Sequence, residues 1–408
     1  MAKFLDERIE WNNLILRRVL EGTTSIFVPD PDHYLPKKSA YLPAALPVFY
    51  NPVMEINRDI SLSAILAYYR LYPKDNITYI EALAGTGIRG FRIANELAAN
   101  INILLNDIEP RAYKLMNFNK ESTEKFKNIK IFNNDANYLL YHLRNQREIL
   151  DIIEIDPYGS PAPFLSAGLA NVKNGGLLLI TATDTAPLAG KFPEACLRKY
   201  GSYITKNPFY REIAIRALLY SIGCIASKFS RSIIPLFGFF LHHFIKVGVI
   251  VEKGKLKANN FWQEIGWIAY DRESLQFDML YGIRPNISKN LRTPKLKFLG
   301  PLWLGKIFNE TFCDEMIRSL NALEINSKNR LLLLKIIDWE LGCNNIPLYY
   351  NLQEISRKLH TSSPASDEIV EVLRALGFCA CRTHFDRKAI KTNADPEVIK
   401  NLIVQMKS

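Results

Sequence analysis

The chain has 408 residues, 48% hydrophobic and 23% charged. This is a globular composition, too long for one ordinary core, so two domains are expected and a disordered, collagenous or coiled-coil chain is excluded. The net charge of +11 is uneven: residues 1–190 carry −1, 301–408 carry +1, and 191–300 hold 18 basic against seven acidic residues. A basic block of this kind suits a polyanion such as nucleic acid, or else forms a solvated basic face. No run of about 18 uncharged apolar residues is present, so no transmembrane helix is expected. The opening MAKFLDERIE lacks the apolar core of a secretory signal. Six cysteines, at 196, 224, 313, 343, 379 and 381, show no CxxC spacing. A cytoplasmic protein with free thiols is expected.

Residues 1–48 read as an extended arm, with Leu14 to Leu20 apolar at helical spacing and prolines clustered after position 28. A helix is expected over 57–72. Strands then alternate with helices: strands at 77–85, 101–110, 129–137, 150–159 and 175–184, helices at 88–99, 111–123, 138–147 and 163–172. Such alternation predicts a parallel, doubly wound sheet, with ligands bound outside the carboxyl ends of its strands. Glu81, Asp107, Asp135 and Asp156 fall at those ends. A helix is expected over 210–228 and an apolar stretch over 233–251. The basic, turn-like EKGKLKANN (252–260) marks the boundary, giving an arm with a sheet domain over 1–255 and a smaller α+β domain over 256–408. Beyond it, a helix–helix–turn–helix–strand order resembles a winged helix.

The first motif is EALAGTGIRG (81–90). Gly85 and Gly87 let the backbone turn sharply and approach a ligand, and a helix N-terminus follows. Gly85, Gly87 and Gly90 also meet the dinucleotide-binding spacing, whereas an acid at Glu81, ahead of the glycines, fits S-adenosylmethionine; the loop alone leaves both cofactors open. Asp107 can accept from ribose hydroxyls under either reading. Asp135, followed by Ala136, can accept from an adenine amine, or simply cap a helix.

EIDPYGSPAPF (154–164) is more discriminating. Asp-Pro-Tyr at a strand end matches the Asp/Asn-Pro-Pro-aromatic theme of amino-group methyltransferases. An exocyclic base amine is a poor nucleophile because its lone pair is conjugated with the ring. The Asp156 carboxylate and the Pro157 carbonyl can accept its N–H bonds and aim that lone pair at a methyl donor. Tyr158 can stack on an extruded base, with Phe49 on the other side. Arg58 can pair with a carboxylate such as the methionine tail.

FYNPVMEINRD (49–59), GTGIRG (85–90), EIDPYGSPAPF, TATDTAPLAG (181–190), CLRKYG (196–201), GPLWLGKI (300–307) and RTHFD (382–386) together resemble the tRNA guanine-26 N2-dimethyltransferases, archaeal type, in the same order from about 49 to 390. The resemblance implies a Rossmann-like class I S-adenosylmethionine-dependent methyltransferase sheet plus a C-terminal tRNA-binding domain. It implies that Arg58, Arg89, Asp107, Asp135 and Ala136 hold the cofactor, beside Glu81 and the glycines 85 and 87. Phe49 and Tyr158 would sandwich guanine, and Asp156 with the Pro157 carbonyl would hold its N2 amine.

The chain departs from the pattern where archaeal relatives carry four zinc-binding cysteines: residues 266–299 contain no cysteine and no histidine. No zinc is therefore expected, with packing of Trp267, Tyr270, Phe277 and Tyr281 in its place. Tyr158 stands where the family usually has Phe. The implied partner is tRNA, with no membrane and no obligate protein partner. An N6-adenine methyltransferase, or a non-catalytic tRNA-binding protein on this fold, is the alternative. For tRNA contacts the exposed-looking basic run Lys289, Arg292, Lys295, Lys297 is one expectation, and the C-terminal set Arg382, Arg387, Lys388, Lys391 the other.

Overall fold

A computed structural model describes residues 2–36, 42–284 and 296–406. Three of the four basic residues expected to meet tRNA, Lys289, Arg292 and Lys295, lie outside the described residues. The chain forms two compact units, Met1–Thr181 with Thr311–Leu334, and Ala182–Glu310 with Lys335–Ser408.

The first unit opens with an antiparallel meander, β1 (Lys3–Trp11), β2 (Leu14–Glu21) and β3 (Thr24–Pro29). This corrects the expected arm and the helical reading of Leu14–Leu20. The reason is local: Asn12 and Asn13 both take positive φ (50° and 60°), as a two-residue hairpin turn demands, and Gly22 at +54° starts the next turn. The eight residues between those turns bury Leu14, Leu16 and Val19. Leu14, Leu16 and Phe27 pack with Val48, Ala112 and Leu115 in one apolar cluster.

The doubly wound sheet follows. Its parallel strands are β4 (Ile77–Glu81), β5 (Ile101–Asn106), β6 (Lys130–Phe132), β7 (Leu150–Ile155) and β8 (Val172–Ala182). The pairs β4–β5, β4–β7, β5–β6 and β7–β8 are all parallel. β9 (Arg231–Leu241) and β10 (Phe244–Lys253) form an antiparallel hairpin from the apolar stretch. Within the first unit the strand order is β6-β5-β4-β7-β8, so the order of strand addition reverses between β4 and β7, the switch point where such sheets bind ligands. Every residue of β7 is buried, which is why central parallel strands read as continuous apolar runs.

The second unit also holds a sheet of order β12-β11-β13, from β11 (Ile265–Asp271), β12 (Phe277–Tyr281) and β13 (Leu296–Trp303). The segment expected as a basic turn is in part a helix, Lys255–Phe261. A three-stranded sheet of order β14-β16-β15 follows, from β14 (Tyr350–Asn351), β15 (Ala380–Arg382) and β16 (Ala389–Thr392). Helices Leu352–Lys358 and Ser366–Ala375 separate β14 from β15. This is the winged-helix order, cored by Leu352, Ile355, Ile369, Leu373 and Ile390.

A buried polar network fastens that module inside the unit. The Glu340 carboxylate accepts from the Thr383 hydroxyl (2.6 Å) and His384 Nδ1 (2.7 Å), and forms an ion pair with Lys391 Nζ (2.9 Å). His384 Nε2 in turn accepts the Phe240 amide at 3.2 Å, which leaves Nδ1 to carry the proton given to Glu340. Lys391 also reaches Glu212 at 3.2 Å, and Arg216 donates to the other Glu212 oxygen. Burial opposes ionisation of Glu340, but Lys391 and His384 more than offset it and hold its pKa well below the usual carboxylate range. Lys391 is buried here, and Arg382 is held by both Asp367 oxygens at 2.9 Å. The alternative tRNA-contact set is therefore corrected: these two side chains do structural work, leaving Arg387 and Lys388 exposed. All six cysteines are free.

Candidate active site

β4 ends at Glu81, and the chain turns through Gly85 (φ +55°) and Gly87 (φ +76°) into helix Ile88–Glu96. A Cβ at Gly85 would stand 2.9 Å from the Phe49 carbonyl oxygen, so two backbones approach there as only glycine allows. A Cβ at Gly90 would fall 2.4 Å from the Leu105 side chain. Gly90 thus serves helix–sheet packing, while Gly85 and Gly87 shape the loop.

Asp107, just past β5, accepts the Gly85 amide at 2.7 Å and the Glu109 amide at 2.9 Å. It thereby fixes the glycine loop as well as standing at the strand end. Burial pushes its carboxyl pKa upward despite those amides. Asp135, past β6, is exposed and caps helix Ala136–Asn145 through the Tyr138 amide at 2.9 Å, and Ala136 is buried behind it. Both acids therefore carry the local duties of loop and cap, and both stand where the sheet opens to ligands.

Arg89, from the first turn of helix Ile88–Glu96, is buried and joins several groups. Its Nη1 donates to Glu81 at 2.6 Å and lies 3.5 Å from Glu154. Its Nη2 donates to Asn57 Oδ1 at 3.1 Å and to Asp156. Burial disfavours its charge, yet Glu154, Glu81 and Asp156 outweigh that and hold it firmly protonated. The residue expected at the cofactor is thus also tied to the strand-end Asp156.

Arg58 is buried beside this cluster. Its Nε donates to Glu21 at 2.7 Å, and its Nη2 to Glu21 at 2.5 Å and to the Asn51 carbonyl at 3.0 Å. Tyr50 adds a 2.7 Å hydrogen bond to Glu21. Burial raises the Glu21 pKa, but Arg58 more than reverses this. The meander strand β2 therefore supplies the anion that holds Arg58.

At the end of β7, Asp156 is partly buried, Pro157 is buried, and Tyr158 is 75% exposed. The Phe49 and Tyr158 rings stand 5.7 Å apart, tilted at 57°. The structure brings the expected aromatic pair together. A base between two parallel rings needs about 7 Å, twice a ~3.5 Å contact, so the pair must spread and rotate to admit one. Sequence reasoning missed Asn57 and Glu154 as members of the cluster. The signal was available for Glu154, which shares a strand face with Asp156 two residues away. Asn57 lies inside the FYNPVMEINRD motif but has no chemical signature of its own.

The geometry collects a glycine turn, strand-end acids, a buried arginine and two exposed rings. The comparisons give this arrangement its place. Residues 23–404 match the model of the family described as N2,N2-dimethylguanosine tRNA methyltransferase. The chain belongs to that family. The tRNA (guanine(26)-N(2))-dimethyltransferase of Methanosarcina barkeri is 33% identical, with 96% of this chain and 99% of the relative covered. The enzyme of the same name from Methanocaldococcus jannaschii is 34% identical, with 87% and 91% covered. The solved complex of Trm1 from Pyrococcus horikoshii with S-adenosyl-L-methionine superposes at TM-score 0.81 and 31% identity, over 95% of this chain and 99% of that one. Membership in the dimethylguanosine methyltransferase family agrees with the sheet order and with the Asp-Pro-aromatic turn. Among the described residues, no group of three or more His, Cys, Asp or Glu is arranged to hold a metal ion, and no helix is long and apolar enough to cross a membrane.

Proposed function

We propose that this protein uses S-adenosylmethionine to dimethylate the N2 amine of guanine 26 in tRNA, in two successive transfers. Family membership over residues 23–404 carries the reading, and the joining of Arg89 to Asp156 supports it locally. The residues fit the cofactor. The glycine turn leads directly into the N-terminus of helix Ile88–Glu96, and Asp107 and Asp135 stand at adjacent strand ends as acceptors for ribose hydroxyls and an adenine amine. Arg58, Glu81, Gly85, Gly87, Arg89 and Ala136 complete that set. When bound, S-adenosylmethionine supplies the electrophilic methyl group.

The chain's own residues do the rest. Phe49 and Tyr158 clamp the guanine ring between them. Asp156 and the Pro157 carbonyl accept the N–H bonds of the exocyclic amine, which localises its lone pair and aims it. Asp156 then stands ready to receive the proton that the methylated nitrogen releases. After the first transfer one N–H remains, so the same acceptors can orient the second. Residues 256–408, with their winged-helix order, contribute tRNA binding. Nucleoside mass spectrometry of an unmodified tRNA incubated with protein and cofactor tests the reading: dimethylguanosine at position 26 is expected. Methylated adenosine, or no methylation, would refute it.

A further inference from the structure

The segment 191–206 carries one of the sequence motifs, CLRKYG (196–201), but has no part in the site above. It is tightly fastened. Its ends meet, because a Cβ at Gly190 would stand 2.5 Å from the Thr205 carbonyl oxygen. Its one helix, Pro193–Tyr200, starts with proline and ends on Gly201 at φ +74°. Those residues pre-set where the helix begins and stops. The inner face is anchored by buried Cys196 and by Tyr200, whose hydroxyl donates to Asp184 at 2.6 Å. Lys199 donates to the other Asp184 oxygen at 2.9 Å. Backbone hydrogen bonds join Tyr203 to Gly300 in both directions, at 2.8 and 3.2 Å, and the Ser202 hydroxyl donates to the Pro301 carbonyl at 2.7 Å.

The outer face is different. Phe192 is 57% exposed, Leu197 50% and Tyr203 40%. Lys191, Arg198 and Lys206 stand exposed among them, with Glu194 the one exposed acid of the segment. A rigid scaffold that holds large apolar rings out in water is presenting them, since burying them would stabilise the fold. Aromatic rings interleaved with cations are the chemistry of unstacked nucleotides: each base stacks on a ring while its phosphate meets a cation.

We propose that segment 191–206 is a docking surface for unstacked tRNA nucleotides, with Phe192 and Tyr203 as stacking platforms and Lys191, Arg198 and Lys206 as phosphate contacts. The proposal rests on tRNA being the substrate. Charge complementarity favours RNA over a protein partner, because the exposed cations outnumber the acid three to one before Lys199 is counted.

The test uses the full chain, an unmodified tRNA transcript and two variants, Phe192→Ala/Tyr203→Ala and Lys191→Gln/Arg198→Gln/Lys206→Gln. The aromatic variant should bind tRNA about 5- to 150-fold more weakly per stacked base lost, with the salt dependence unchanged. The charge variant should flatten the slope of log affinity against log salt by roughly 2 to 3. Both should keep the wild-type affinity for S-adenosylmethionine and the wild-type melting temperature. Unaltered tRNA affinity in both variants would overturn the proposal, and so would an equal loss of cofactor affinity. A wild-type dimer that the aromatic variant dissolves while tRNA binding persists would overturn it in favour of a protein contact. If the wild-type protein methylates tRNA and the variants bind normally, only this inference fails; if the wild type methylates nothing, the functional reading itself fails.

Discussion

Two buried ionic clusters, one in each unit, are built from similar side chains and serve different ends. Around Glu340, every charge meets another within the fold: Lys391 bridges Glu340 and Glu212, and His384 is locked as one tautomer. Around Arg89, the chain of hydrogen bonds runs outward to Asp156, two residues before Tyr158, whose side chain is three-quarters exposed. The first cluster is closed and holds a module in place. The second is open at one end, at the carboxyl edge of a parallel sheet. Burial and pairing alone do not separate a structural ion network from a functional one; what separates them is whether the network reaches a surface that a ligand can occupy.

Breaking each cluster should therefore give different phenotypes. The largest effect is expected for Asp156→Ala, which should abolish methyl transfer while cofactor affinity stays within a few-fold. Arg89→Lys keeps the charge but loses the fork that spans Glu81 and Asp156. It should lower kcat by about 100-fold, the scale of a small misplacement of a reacting group. Lys391→Met should do the reverse. It leaves Glu212 and Glu340 without their shared cation and should cost about 3–5 kcal/mol of stability in chemical denaturation, with activity per folded molecule unchanged.

The pH dependence follows from the same closed cluster. Glu340 and Glu212 have depressed pKa values in the folded protein. Their contribution to stability is present above the ordinary carboxylate value of 4.5 and is lost as pH falls below it toward the folded pKa. Acid denaturation of the wild type should therefore steepen below about pH 4.5, and Glu340→Gln should flatten it. An identical profile in that variant would remove Glu340 from this role. A smaller effect is expected for Asp107→Ala, a loss of about 1–3 kcal/mol in cofactor affinity from an unsatisfied Gly85 amide and a missing acceptor.

Much of this fold and site is legible in the sequence alone. The alternation of short apolar strands and helices carries the sheet, because parallel strands buried on both faces have a clear signature. Asp107, Asp135 and Asp156 are legible because strand ends are where α/β sheets present ligand-binding groups. The meander is hidden: its alternation is short, and the two turns that define it rest on Asn12-Asn13 and Gly22, which read equally as loop residues. The role of Lys391 is hidden for a different reason. A lysine in a strand looks like a surface cation until its partners, Glu212 and Glu340, are known, and these lie far away in sequence. Charge summed along 191–300 likewise includes Arg216, Arg231 and Lys246, which are buried and unavailable to RNA.

The central claim is that the candidate site divides into a base side at Asp156 and a cofactor side at Asp107. Titration of S-adenosylmethionine into Asp156→Ala and Asp107→Ala, with methyl transfer to tRNA measured on the same preparations at saturating cofactor, tests it most directly. Asp156→Ala should bind cofactor nearly as the wild type does and transfer nothing, whereas Asp107→Ala should bind weakly and recover most of its turnover at saturation. Equal loss of cofactor binding in both variants, or turnover retained by Asp156→Ala, would contradict the account.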